Sequence, residues 1–365
     1  MTTLFLTETM LYLSLSFLVG MLIVELVPSN MKPSINIKRS WISYAVAGVM
    51  IFSFAPLIPL ILRISDSRGF LEGLLQVLTK YTAGQAWLAT LCIAILFFVL
   101  LVYSKGGKQG SIAVPALVLA LGLIVTLGWS SHPQSISPSL GILYYTMHLV
   151  AITAWVGTLI VISFLSNNES NWSAFLKWFT PLAIGCLILT LISGYLMMTI
   201  MMDVSQYPAT WVVNYGQALL IKHLLFIPVF LFACINGFWV KKKLQDPSYQ
   251  PKPWAKAESV ILFFIFSVTA VMSQQAPPND LANTIRIDGV SPLFKSMTGN
   301  TMIEFAHLTL EWNLNTILLC GLSVLFIVLF FLSFAKKAPA AFTFILGLAL
   351  TFSLYIMIMA SASVS

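Results

Sequence analysis

Apolar residues in this chain neither alternate with polar ones nor keep to a narrow helical stripe; they run together in long blocks. Windows of about 19 residues pick out ten blocks, near residues 4–27, 40–62, 80–103, 112–130, 139–165, 174–202, 212–240, 255–275, 311–334 and 338–360. Each approaches or exceeds the ~20 residues that a helix needs to cross a bilayer. Hydrocarbon offers a backbone no hydrogen-bond partner, so such blocks must be helices that satisfy their own N–H and C=O groups. The pattern predicts an all-α chain, a polytopic integral membrane helical bundle of about ten transmembrane helices. The last two blocks are separated by only Ala335, Lys336, Lys337 and Ala338, and Pro339 after the basic pair suits a hairpin.

The polar positions between blocks set the orientation. Counted alternately, one set of loops holds Lys32, Lys38, Arg39, Lys105, Lys108, Lys177, Lys241, Lys242, Lys243, Lys252, Lys256, Lys336 and Lys337. The other holds only Arg63, Arg68, Lys80, Arg286 and Lys295. Lysine and arginine concentrate on the cytoplasmic side, so the first set is read as cytoplasmic and both termini as outside. Composition agrees, with 59% of residues hydrophobic and 8% charged, which leaves no room for a large soluble domain. The net charge of +7 is then mostly topology. Its cations are split among short loops with no aromatic interleaving, which argues against nucleic-acid binding. The first block lacks a basic region ahead of it and carries Glu8, so it is read as a retained helix rather than a signal peptide. Cys92, Cys186, Cys234 and Cys320 all lie within blocks and form no CxxC pair. Apolar packing is their expected role, with thiolate ligation of a soft cation as the alternative.

Four histidines stand out against this background, all toward the outer side in that topology. His132 lies in an outer loop. His148 is eight residues into its block from Leu140, and His223 eight residues into its own from Tyr215, which puts both ~12 Å deep by the helical rise. An ionisable side chain at that depth is a functional-site hypothesis by default. Two imidazoles at matched depth could ligate copper, iron, nickel or zinc; a hydrogen bond from each to a neighbouring helix is the alternative. Lys222 beside His223 is expected to point inward, since a buried ammonium needs a carbonyl, a cavity or an anion. Trp155 shares a helix face with His148, and Gly157 permits close approach of a neighbouring helix. Met197, Met198, Met201 and Met202, followed by Asp203, bring thioethers that suit Cu(I), with packing as the alternative. Glu304, His307 and Glu311 share a face if their segment is helical and could attract a cation, or simply form a solvated turn.

Three separated stretches carry a resemblance to a known family. The first is Ser131-His132-Pro133 followed by Met147-His148-Leu149 and Ala154-Trp155-Val156-Gly157. The second runs from Tyr215-Gly216-Gln217 through Leu220-Ile221-Lys222 to Asn236. The third runs from Glu258-Ser259-Val260 through Ala270-Val271-Met272 to Pro277-Pro278. Together they resemble the copper resistance D family, also found as the membrane part of bacterial copper-uptake proteins. The resemblance covers roughly 112–278, a five-helix core; the apolar blocks add three N-terminal helices over 1–111, an extracytoplasmic loop over 279–310 and a helical hairpin over 311–365, to which the motifs assign no role. The resemblance implies a copper-handling protein of the bacterial cytoplasmic membrane, with His132 and His148 at the family's histidine positions. This chain departs from the family in having Ser131 and Pro133 around His132, where the family commonly has Gly-His-Ala, and Gly237, where a basic residue often follows the asparagine. No soluble copper-binding β-domain follows the helices, so a delivering extracytoplasmic copper protein is expected to be a separate partner.

The leading expectation is copper uptake: capture outside near His132, Glu304 and His307, transfer to His148 and His223, and passage inward along Met198, Met201 or cysteine ligands, with Lys222 and Trp155 in support. Neither a P-loop nor a nucleotide-binding domain is visible, so movement would follow the gradient or the membrane potential. A haem between His148 and His223 in an electron-transfer protein is the second expectation. A membrane metallochaperone that presents copper to an outward-facing enzyme is the third. Hydrolytic chemistry is unsupported, since there is no HExxH or GxSxG, and the chain is not expected to be an enzyme.

Overall fold

The computed structural model describes residues 2–103, 112–246, 249–299 and 308–364. It divides into two units, Met1–Ile200 and Met201–Ser365, and the division falls inside the segment 112–278 that the sequence motifs group together. Among the described residues eight helices are long and apolar enough to cross a membrane, or nine if a bent helix pair counts as one span. The chain is an all-α, polytopic membrane protein.

The first unit contains α1 (Thr2–Leu26), α2 (Arg39–Phe54), α3 (Leu57–Arg68), α4 (Phe70–Lys80), α5 (Thr82–Tyr103), α6 (Ala113–Trp129), α7 (His132–Ile136) and α8 (Pro138–Leu165). It also contains α9 (Trp172–Met201) up to its last residue. The block predicted as one span over 40–62 is instead two helices bent by 42°. Pro56 sits at the break and has no N–H to donate, and its ring clashes with a helical carbonyl one turn earlier. The loop expected after it is ordered: α4 folds back on α3, burying Leu57, Ile61 and Val77 together. The block at 112–130 forms α6, apolar but only 17 residues long.

α1 and α8 approach backbone to backbone. A methyl group placed on Gly20 would strike the Gly157 backbone, and one on Gly157 would strike the Ser16 carbonyl. Ser16 and Gly20 form a small-xxx-small pair, the device by which membrane helices bring their backbones together. Thr90 and Thr126 meet hydroxyl to hydroxyl at 2.7 Å between α5 and α6, satisfying polar groups that hydrocarbon cannot.

The second unit is built on α10 (Asn214–Cys234), whose end widens into a π turn (Ile235–Trp239) before the short α11 (Val240–Lys243). α12 (Lys252–Ser273) packs against α10, and α15 (Leu314–Ala335) and α16 (Ala340–Ser361) form the expected hairpin, turning at Lys337 with φ +58°. Polar side chains pin these helices: Tyr355 O–H donates to Gln217 Oε1 at 2.6 Å, and Ser323 Oγ to Ser353 Oγ at 3.0 Å. The segment predicted as a loop over 279–310 holds α13 (Leu281–Asp288), α14 (Pro292–Thr298) and strand β1 (Leu308–Leu310). Phe294 of α14 is fully buried beside Trp211 and Val212, and β1 pairs antiparallel with β2 (Ala362–Val364).

Candidate functional site

His148 lies on α8 and is buried, at 8% exposure. Its Nδ1 is 3.0 Å from Oγ of Ser193 on α9. Ser193 Oγ is also 2.6 Å from the Leu189 carbonyl oxygen, which can only accept. The hydroxyl's one proton goes to that carbonyl, so Ser193 accepts from His148 Nδ1–H; the tautomer is assigned by the network. Nε2 is then the nitrogen that carries the lone pair, and neutral imidazole in this form is a metal ligand. Gly194 follows Ser193, and a Cβ there would come to 3.4 Å from the imidazole Cε1; glycine gives the ring its space.

Soft donors continue along the same face of α9. At 100° per residue, Cys186 and Met197 fall within about 40° of Ser193 around the helix, ~10 Å and ~6 Å along its axis. Met201 is one turn further and about 80° away. Cys186 and Met201 are buried and Met197 half-buried. Met198 is half-buried but about 140° from Ser193, so Met197 rather than Met198 lies on the helix face that carries the His148 contact. Trp155 is buried two turns from His148 on α8.

His223 belongs to the second unit and is exposed. Its Nδ1 lies 2.8 Å from the hydroxyl of Tyr207, with the rings edge to face and 5.6 Å apart. Tyr207 stands in the turn before α10, and burial pushes its phenol up to about 12. It keeps its proton at neutral pH, and a neutral phenol either donates to Nδ1 or accepts from Nδ1–H, so the bond holds the His223 ring without selecting its tautomer. Lys222 beside it is half-buried.

His132 opens α7 and is exposed; its carbonyl accepts from Ser135 Oγ–H at 2.7 Å. Glu304 and His307 lie outside the described residues, and Glu311 is exposed just after β1. Among the described residues no group of three or more His, Cys, Asp or Glu side chains is placed to hold a metal ion.

Sequence reasoning missed Ser193 and Tyr207, and it took the acid Glu258, which is 2% exposed on α12, only as part of a family stretch, without a role. Asn236 of the π turn donates from Nδ2 to Glu258 Oε2 at 2.8 Å. The signal for Glu258 was present, as the single acid in its apolar block. Ser193 and Tyr207 gave none, because ordinary residues become partners only through contacts between elements.

Residues 2–142 match the family model described as Copper resistance protein D-like, N-terminal domain, and residues 173–272 match the model described as Copper resistance protein D. The first match covers the stretch 1–111, apart from Met1, that the sequence motifs left without a role, and it includes His132. The second includes Lys222, His223, Asn236 and Glu258. His148, Trp155 and Gly157 fall between the two. No curated protein and no solved structure matches the chain.

Proposed function

The chain belongs to the copper resistance protein D family, and from that premise we propose that it carries copper inward across the membrane with His148 as its intramembrane ligand. The observation that carries this reading is the imidazole buried within a span, its Nδ1 held by Ser193. A carbonyl, carboxylate or hydroxyl acceptor on one ring nitrogen fixes the ring and raises the basicity of the other, as at most histidine metal sites. Copper is the cargo here. The thioether of Met197 and the thiol of Cys186 supply soft donors on the face of α9 that meets His148, with Met201 one turn beyond and further round the helix, a chemistry suited to Cu(I). Spaced single ligands bind weakly enough to release, which conduction requires. Capture on the outer side falls to His132, where a separate copper protein delivers. The chain transports without catalysing a reaction.

Radioactive copper accumulation in proteoliposomes tests the proposal. The wild-type protein accumulates copper above empty vesicles, and His148→Ala reduces the rate at least tenfold. Undiminished uptake by His148→Ala removes the ligand assignment. Copper bound without accumulation replaces transport with presentation to an outer partner, and a haem absorption band replaces both with electron transfer.

A further inference from the structure

We propose that Glu258 is a proton-exchange site of the second unit, set by Asn236 at the π turn where α10 gives way to its lysine-rich end. The inference stands apart from the copper reading. An ionised carboxylate withdrawn from water is costly unless it is paired, and an acid within a membrane helix marks a pathway or relay more often than a structural role. Glu258 is 2% exposed. The ion pairs found among the described residues, Arg68 with Glu72 and Lys337 with Asp246, do not include it.

Its partner is a neutral amide. Asn236 uses both Nδ2 protons, one on Glu258 Oε2 at 2.8 Å and one on the Trp254 carbonyl at 3.3 Å. An amide so fixed holds the carboxyl in place in either protonation state and does not cancel its charge. Asn236 is delivered by the π turn, a local widening that recurs at functional sites in helices. The groups that could pair with the acid are few. α10 and its π turn bring Cys234 and Asn236 close, while Lys222 and His223 lie ~16–18 Å back along the helix from Cys234 and Lys252 ~9 Å back along α12 from Glu258; α16 brings only Tyr355, which is committed to Gln217. On α12 itself Lys256 sits about 200° around the helix from Glu258. At the basic end, Lys243 Nζ is engaged by the Phe334 and Ala335 carbonyls at 3.0 and 3.3 Å, and Lys241 and Lys242 are exposed. Trp254, one turn before Glu258, packs edge-on against Phe334 at 4.9 Å and helps keep bulk water off the carboxyl. The remaining way to remove the charge is a proton: hydronium gives it up, one of its O–H bonds breaking to leave water as an O–H bond forms on the carboxylate, and the reverse step returns it.

Infrared difference spectra of the full chain in lipid nanodiscs, between neutral and acid pH, read this directly. A carbonyl stretch of a protonated carboxyl sheltered from water appears in the wild type and is lost in Glu258→Gln. Asn236→Leu, which keeps the acid and removes its donor, shifts the band. A wild-type spectrum without such a band overturns the proposal, as does a band that survives in Glu258→Gln. If Glu258→Gln does not assemble, isotope labelling of glutamate together with Asn236→Leu decides: a band that moves under neither belongs elsewhere and the proposal fails.

Discussion

Gly157→Ala tests the backbone contact between α1 and α8. A Cβ at position 157 would overlap the Ser16 carbonyl oxygen and lie 2.9 Å from the Ser16 carbonyl carbon and 3.0 Å from the Gly20 nitrogen. All three are backbone atoms, so no rotamer change relieves the overlap. Comfortable heavy-atom contacts lie near 3.5–4.0 Å, so α1 and α8 must separate by on the order of 1 Å, which forfeits a quarter to a half of each contact's ~0.1–0.2 kcal/mol. Spread over the interface this falls within the ~1–3 kcal/mol typical of overpacking. Gly20→Ala should cost a similar amount, since its Cβ would strike the Gly157 backbone. The double variant should cost less than the sum, because one separation accommodates both methyl groups; contacting residues show couplings of ~0.5–3 kcal/mol. Chemical denaturation in detergent, followed by helical circular dichroism, measures all three. Wild-type stability for Gly157→Ala, or strict additivity in the double variant, refutes the contact.

Three further outcomes follow from the hydrogen bonds around the histidines and the turn between α9 and α10. Ser193→Ala removes the acceptor that fixes His148 and should weaken copper binding by about 10–100-fold, measured by competition with a colorimetric Cu(I) chelator, while Ser193→Thr keeps most of the affinity; an unchanged Ser193→Ala contradicts the tautomer assignment. Tyr207→Phe removes the hydroxyl partner of His223 Nδ1, and the ¹⁵N shifts of that ring should change at neutral pH; an identical spectrum contradicts the bond. Asp203 accepts from the hydroxyl and amide of Ser205 at 2.7 and 2.9 Å, and these bonds, the hydroxyl first, hold its carboxyl below the usual carboxylate range. Because the folded value is the lower one, the ordering it provides is complete above the ordinary aspartate value of ~3.9 and is lost as pH falls through the depressed value. The protection factor of the Ser205 amide, its exchange rate divided into the intrinsic rate at the same pH, should therefore fall on acidification in the wild type, and Asp203→Asn should abolish that dependence.

The helices were legible because the signal for a span is local. The Pro56 break was visible as a residue yet hidden by averaging over a window, which sees hydropathy and not the missing N–H. α13 and α14 went unread because their short stretches are mixed in polarity, and only packing of Phe294 beside Trp211 and Val212 orders them. His148 was singled out on depth alone. Its partner Ser193 is 45 residues away and chemically unremarkable in a membrane helix, so nothing in its neighbourhood announced it. The choice between Met197 and Met198 likewise waited on knowing which face of α9 meets the imidazole.

The sequence by itself determined that this chain spans a membrane many times as helices, and its motifs carried the copper resistance resemblance that the family matches bear out. Both follow from short-range properties: runs of apolar residues in a solvent that cannot satisfy a backbone, and residue spacings along one element. Tertiary structure decided the rest, namely that Gly157 meets Ser16 and Gly20, that Ser193 orients His148, and that Glu258 is left with an amide for company. Helix rotation sets these contacts, and in a uniformly apolar helix there is no amphipathic stripe from which that rotation can be read.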